Sequence, residues 1–219
     1  MVYRIHMLDQ HQHLIGITPL VVIPGNQLDK CIRQRDTSSP VSYTHLEYIG
    51  GSQEQFVEMM NQRAQELGMV NTHFVNPCGL DADGHVTTAR DIAIMSRELM
   101  MNFPEVTAFT TTWHEMMPHV WRSGPGETDM TNTNHLIQSY NGMTGLKTGF
   151  TRLAKYSLSA TATRNDMSLI AVIMGAETKD QRSADVTKLL DYGFGSFVLQ
   201  TVETDGQSAG CLLYTSRCV

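Results

Sequence analysis

With 219 residues, 41% of them hydrophobic and 17% charged, the chain has ample apolar surface to bury a core and does not read as a disordered segment. Its net charge of −6 lacks the basic excess that phosphate backbones attract, which argues against a nucleic-acid partner. No run approaches the roughly 20 apolar residues of a membrane-spanning helix.

Residues 1–46 alternate polar clusters with Pro and Gly and hold neither the helical nor the strand period, so no element is expected there. The apolar stretch Leu14 to Ile23 is broken by Gly16, Thr18 and Pro19, and only Arg4 precedes it as a fixed positive charge. It makes a poor signal peptide, and the chain shows no export signal. His6, His11 and His13 read as a polar tail, and Cys31, Cys78, Cys211 and Cys218 have no metal-ligand spacing, so no metal or cofactor is expected.

Punctuation and period change at Glu47. Ser52-Gln53-Glu54-Gln55 is a capping box, followed by Phe56, Val57, Met60, Ala64 and Leu67 at helical spacing and a stop at Gly68. Asn71 to Asp83 reads as an ordered loop, with His73, Asn76 and Asp81 in ordering roles. Thr88 and Asp91 then cap a helix that faces Ile92, Met95 and Leu99 to one side. Between Asn102 and His119 a short helix through Glu105 to Phe109 and an extended piece are expected, and Ser123-Gly124-Pro125-Gly126 marks a turn. His114 and His119 read as ordinary surface or packed histidines.

Gly145 to Thr151, Tyr156 to Arg164 and Met167 to Ala176 are three β-patterned runs with tight connections, Arg164-Asn165-Asp166 being a strong turn signal. They predict an antiparallel meander. Thr178-Lys179-Asp180-Gln181 caps a third helix that carries Val186, Leu189 and Leu190 and stops at Gly193. Helices with a three-stranded meander give an α+β layout. Gly206 to Val219 shows no period, and no element is expected there.

Val41-Ser42-Tyr43-Thr44-His45-Leu46 and Cys211-Leu212-Leu213-Tyr214-Thr215-Ser216 are translations of one nucleotide string, CTGTCTCTTATACACATCT, read in two frames. That string resembles a transposon end used in preparing sequencing libraries. The expectation is therefore of foreign DNA over 1–46, a native block over 47–202, and over 203–219 the truncated start of a C-terminal domain plus an artefactual tail. Sequencing the source DNA across codons 38 to 50 tests this, and an uninterrupted native reading frame there would refute it.

The block from Glu47 resembles the middle and end of the catalytic domain of serine D-alanyl-D-alanine carboxypeptidases, the low-molecular-weight penicillin-binding proteins. The resemblance rests on Glu47 to Ser52, Met60-Asn61, Leu67 to Pro77, Gly79-Leu80-Asp81, Thr88 to Asp91, Asn132-Thr133-Asn134 and Gly145 to Thr151 taken together. It implies a partial DD-peptidase/β-lactamase-like domain. It also implies an enzyme that removes the terminal D-Ala from peptidoglycan stem peptides through an acyl-serine, that β-lactams bind, and that works at the outer face of the bacterial membrane.

A peptide with a free terminal carboxylate needs a positive group, an orienting hydroxyl and a strand edge to lie on. Lys147, Thr148 and the strand to Thr151 supply these, and Gly149 lets the substrate approach the backbone closely. The resemblance assigns the oxyanion-hole N–H to Phe150 and lines the cleft with Asn132 and Asn134, although asparagines in such a loop also serve simply to satisfy backbone.

The nucleophile is missing. Such an enzyme needs Ser-x-x-Lys, so that serine and lysine share one helical face, and none occurs in the chain. Ser139-Tyr140-Asn141 is the one Ser-x-Asn, but it lies only eight residues before Lys147, and the resemblance places that element near Thr37 to Ser39. The chain as written is therefore expected to be inactive, with membrane attachment left to parts absent from it. Two other readings stand beside this one. The first is a class A β-lactamase relative, which needs a deacylating glutamate that Glu105 and Glu115 do not resemble. The second is a domain that binds stem peptides or a partner without chemistry.

Overall fold

The computed structural model describes residues 2–4, 49–121, 124–204 and 207–215. The strings at 41–46, the apolar stretch at 14–23 and the histidines near the N-terminus lie outside the described residues.

Helix α1 (Gln53–Glu66) begins where the capping box predicts, with the Ser52 hydroxyl accepting from the Gln55 N–H at 3.2 Å. Its end is a Schellman motif: Gly68, at φ +75°, sends its N–H to Gln65 O, and Met69 N–H reaches Ala64 O. Met69 thereby packs with Ala64 and Phe74 in a small apolar cluster, which Ile94 and Met95 of α2 (Ala89–Asn102) cover in part. The Thr88 hydroxyl caps α2 by accepting from Asp91 N–H. In the connecting loop the Asn61 side chain brackets Phe74, donating to its carbonyl and accepting its N–H at 2.8 and 2.7 Å. A short helix α3 (Val106–Thr110) follows.

The main sheet contains β1 (Val2–Arg4), β4 (Met143–Thr151), β5 (Lys155–Arg164) and β6 (Met167–Ala176) in the order β1-β6-β5-β4. The meander β4-β5-β6 is antiparallel as the pattern predicts, and Asn165 and Asp166 turn β5 into β6 with φ values of +49° and +62°, as a tight hairpin requires. Leu158, Ala160 and Ala162 of β5 face α5 (Lys179–Ser196) and meet Val186 and Leu190, all almost fully buried. Burying each large aliphatic side chain in this layer contributes about 1.5–3 kcal/mol. The alternate residues Ser157, Ser159 and Thr161 face the other way, and Ser159 shares a hydrogen bond with Ser96 of α2 at 2.7 Å. The sheet is thus sandwiched between α5 and α2.

Four expectations need correction. Gly124, Pro125 and Gly126 do not turn the chain but sit in strand β3 (Gly124–Thr131), which pairs with β2 (His114–Trp121). Each strand of a two-stranded ribbon keeps a free edge, so Pro118 and Pro125 need not break it. Helix α5 continues past Gly193 to Ser196, because Gly193 is buried and packing outweighs its weak helix propensity. At the C-terminal end, where no element was expected, β8 (Gln207–Thr215) pairs with β7 (Phe197–Thr204). At the N-terminal end, Val2–Arg4 runs parallel to β6. In both cases the backbone N–H and C=O groups of a strand edge pair with an extended neighbour whatever its side-chain pattern.

Candidate functional site

Lys147, Thr148, Gly149 and Phe150 lie together on β4, which among the described residues pairs only with β5 and so forms an edge of the main sheet they make. The start of this strand is held from outside the sheet. Gly145, at φ +144°, leaves no space for a side chain, since a Cβ there would lie 2.8 Å from the Thr110 side chain. The Thr110 hydroxyl donates to Thr144 O at 2.6 Å, and the Asn134 amide donates to Gly145 O at 3.3 Å. These contacts fix the strand up to Gly145 and leave the stretch from Lys147 onward as the open edge.

Opposite partners across two strands share a face. Lys147 is opposite Ser159 and Gly149 opposite Ser157, so they face α2; Thr148 is opposite Leu158 and Phe150 opposite Tyr156, so they face α5. The Lys147 side chain is exposed at the edge, and its ammonium donates to Thr148 O at 2.6 Å. Desolvation by the surrounding protein pushes its pKa down, and it makes no ion pair among the described residues. An exposed ammonium that no described carboxylate neutralises is open to an anion. The Thr148 hydroxyl bonds the Thr133 hydroxyl at 2.7 Å.

Asn132 and Asn134 stand where they organise this edge. Asn132 donates to the carbonyls of Thr110 and Thr112 at 3.0 and 2.9 Å, and its Oδ1 accepts from Asn134 N–H. Asn134 is only 2% exposed, and its Oδ1 accepts from Leu136 N–H. Its buried side chain has no surface to offer a cleft, and it acts by holding the loop against β4. Between the two, Thr133 carries the exposed hydroxyl.

Two residues near this edge went unread in the sequence. One is Thr133, hidden in a polar loop in which no period marks an outward residue. The other is Arg182 on α5, 4% exposed, whose Nε has no hydrogen-bond partner. Burial pushes its pKa down, while Tyr156, the cross-strand neighbour of Phe150, acts in the opposite sense. The signal that could have found it is a charge in register with the apolar stripe Val186 and Leu190, at i, i+4 and i+8.

Ser139-Tyr140-Asn141 is elsewhere. It ends α4 (Leu136–Ser139), and Tyr140 is buried in the α5 core with its hydroxyl on Asp191 at 2.8 Å. Arg164 lies over the Tyr140 ring and bonds Asn141 O, which puts this triplet by the β5–β6 turn, at the opposite end of the sheet from Phe150 and Tyr156. Glu105 and Glu115 are exposed, the first at the N-cap of α3 and the second on the β2–β3 hairpin. Among the described residues no helix is long and apolar enough to cross a membrane.

The family described as D-alanyl-D-alanine carboxypeptidase matches residues 42–178. D-alanyl-D-alanine carboxypeptidase DacF of Bacillus subtilis (strain 168) is 42% identical over 165 residues, 74% of this chain and 40% of that protein. D-alanyl-D-alanine carboxypeptidase DacC of Escherichia coli (strain K12) is 40% identical over 189 residues, 84% of this chain and 45% of its own length. The chain thus spans less than half the length of these relatives. Among solved structures, penicillin-binding protein D2 from Listeria monocytogenes in its ampicillin-bound form superposes with a TM-score of 0.59 at 34% identity, over 70% of this chain and 61% of that one. The open-edged Lys-Thr-Gly strand, its α+β frame and these matches agree: the chain belongs to the D-alanyl-D-alanine carboxypeptidase family.

Proposed function

We propose that the described part of this chain anchors the free carboxylate of a peptide ending in D-Ala-D-Ala, and that the intact protein removes the terminal D-Ala through an acyl-serine. One observation carries the reading: Lys147 stands exposed at the edge of β4 with no ion pair among the described residues, and Thr148, the next residue on that edge, carries a hydroxyl. A substrate laid along that edge gains main-chain hydrogen bonds from the strand and charge from Lys147. The Phe150 N–H is proposed as a donor to the oxyanion that forms at the scissile carbonyl. Arg182, buried close behind, adds positive potential to the same end of the strand.

The family's reaction also requires the nucleophilic serine and its lysine, which this sequence lacks, so this chain does not turn over substrate. β-Lactam acylation, location at the outer face of the bacterial membrane and the tether there belong to the intact protein. Absence of Ser-x-x-Lys from all 219 residues favours a second reading only if residues 1–46 are genuine: a domain that binds stem peptides without chemistry.

The test is calorimetric titration of the chain with diacetyl-L-Lys-D-Ala-D-Ala and with its C-terminal amide. The acid binds and the amide does not, Lys147→Ala abolishes the difference, and affinity for the acid falls at alkaline pH as Lys147 loses its proton, below the ordinary lysine range. Equal affinity for acid and amide sinks the anchoring role. Labelled penicillin leaves no covalent adduct on this chain, whereas an adduct would reveal a nucleophile outside the Ser-x-x-Lys pattern.

A further inference from the structure

Ser139-Tyr140-Asn141, the triplet that the site leaves unused, is followed by Gly142, and Asn141-Gly142 is the one Asn-Gly pair in the chain. The pair forms the middle of a turn from Tyr140 to Met143, closed by Met143 N–H donating to Tyr140 O at 3.2 Å, with Gly142 at φ +80°. Asn141 is exposed, and neither its side-chain amide nor the Gly142 N–H makes a hydrogen bond among the described residues. A backbone nitrogen without an acceptor, on a residue without a side chain, thus follows directly on an unengaged carboxamide. Arg164 Nε donates to Asn141 O at 2.9 Å. That carbonyl belongs to the same peptide group as the Gly142 nitrogen, so the guanidinium draws electron density from the group and eases loss of the N–H proton. The fold also demands the glycine, because a Cβ at Gly142 would collide with Thr163 O.

We propose that Asn141 is a site of spontaneous deamidation and that its isoaspartyl product unlatches the start of β4. Hydroxide takes the Gly142 N–H proton, the nitrogen attacks Asn141 Cγ, and a C–N bond forms as ammonia leaves with a proton from water. Water then opens the succinimide. Cleavage of the new bond gives aspartate; cleavage of the original peptide bond gives isoaspartate, with the main chain running through Cγ. Attack requires the turn to open, and only the Met143 to Tyr140 bond closes it. The other asparagines are protected: the amides of Asn61, Asn76, Asn132 and Asn134 donate to backbone carbonyls, and each remaining one precedes a residue whose side chain crowds the nitrogen. Isoaspartate lengthens the main chain by one methylene beside two bonds that tie this turn to the end of β5, Arg164 Nε to Asn141 O at 2.9 Å and Thr163 N–H to Gly142 O at 2.8 Å. Both cannot keep their geometry on the longer backbone.

The proposal is independent of the anchoring reading. The full chain is held for weeks at mildly alkaline pH, digested and analysed by mass spectrometry. The peptide carrying Asn141 gains one mass unit and resolves into two isomers, with fragmentation placing the gain at residue 141, and Asn141→Gln loses the gain. In urea unfolding the aged chain shows a transition with a midpoint lower by about 0.5–1 M, as the loss of two hydrogen bonds predicts. Freshly prepared Asn141→Asp, which carries the charge on a backbone of ordinary length, keeps the original midpoint. No gain at residue 141, or an equal gain at the other asparagines, overturns the site. A gain at residue 141 in a single isomer, with an unshifted midpoint, or with an equal drop in Asn141→Asp, overturns the unlatching.

Discussion

Replacing Asn134 by alanine tests whether this residue holds the site together or faces a ligand. The side chain is buried and donates to Gly145 O while accepting from Leu136 N–H, both at 3.3 Å. Truncation leaves a buried carbonyl and a buried N–H without partners, each costing about 1–3 kcal/mol, and the long distances place each near the lower end. Adding the small void gives about 2–4 kcal/mol in total. With a urea m-value of about 2 kcal/mol/M, the unfolding midpoint falls by about 1–2 M. Urea unfolding followed by far-ultraviolet circular dichroism measures the shift, and titration with the diacetyl tripeptide measures ligand affinity. Stability and affinity should fall together, and a Thr133→Ala substitution, which removes only an exposed hydroxyl, should leave the midpoint within about 0.5 kcal/mol of its original stability. A midpoint for Asn134→Ala unchanged within error, with affinity lost, would refute the buried-fastener account and return Asn134 to the cleft.

Gly145→Ala forces a Cβ to within 2.8 Å of Thr110 at a φ of +144°, so it should destabilise by about 2–3 kcal/mol and weaken carboxylate binding; the same substitution on a Thr110→Ala background costs measurably less because the obstructing side chain is gone. Arg164 lies 4.4 Å from the Tyr140 ring centroid and 4.6 Å from that of Phe194, so Arg164→Ala should cost about 1–2 kcal/mol in the same unfolding assay without altering the requirement for Lys147. His85 is 4% exposed, its Nδ1 accepts Val75 N–H at 3.0 Å, and burial, reinforced by His73, pushes its pKa below 6.5 despite Asp81. The folded state therefore binds fewer protons than the unfolded one. Its stability is full above pH 6.5 and is lost as pH falls through the depressed folded value, whereas His85→Gln flattens that part of the curve.

Much of the frame was legible because local chemistry and global packing agree. The hydroxyls of Ser52, Thr88 and Thr178 begin α1, α2 and α5 wherever those helices pack, and Asn165-Asp166 closes its hairpin by backbone preference alone. Lys147 to Phe150 could be singled out as a group only because the stretches around them resemble the same family, since Lys-Thr-Gly alone also fits a plain surface strand. The ribbon of β2 and β3 was misread in part because a Gly-Pro-Gly run signals a turn only until a partner strand claims its backbone.

What tertiary structure decided is which side chains have access. Asn132, Thr133 and Asn134 are polar neighbours in sequence, yet folding against β4 buries Asn134, engages both donors of the Asn132 amide and leaves Thr133 beside Thr148. Lys147 became an exposed cation at a strand edge, Arg182 a buried one, and Phe150 an exposed ring, through the sheet order and the placement of α5. The sequence by itself determined where elements begin, the β4-β5-β6 meander and the place of the Lys-Thr-Gly strand within it, since caps, turns and strand period act over a few residues. Burial, the open edge of β4 and the environment of each charge depend on residues far apart in the chain, and only their packing could set them.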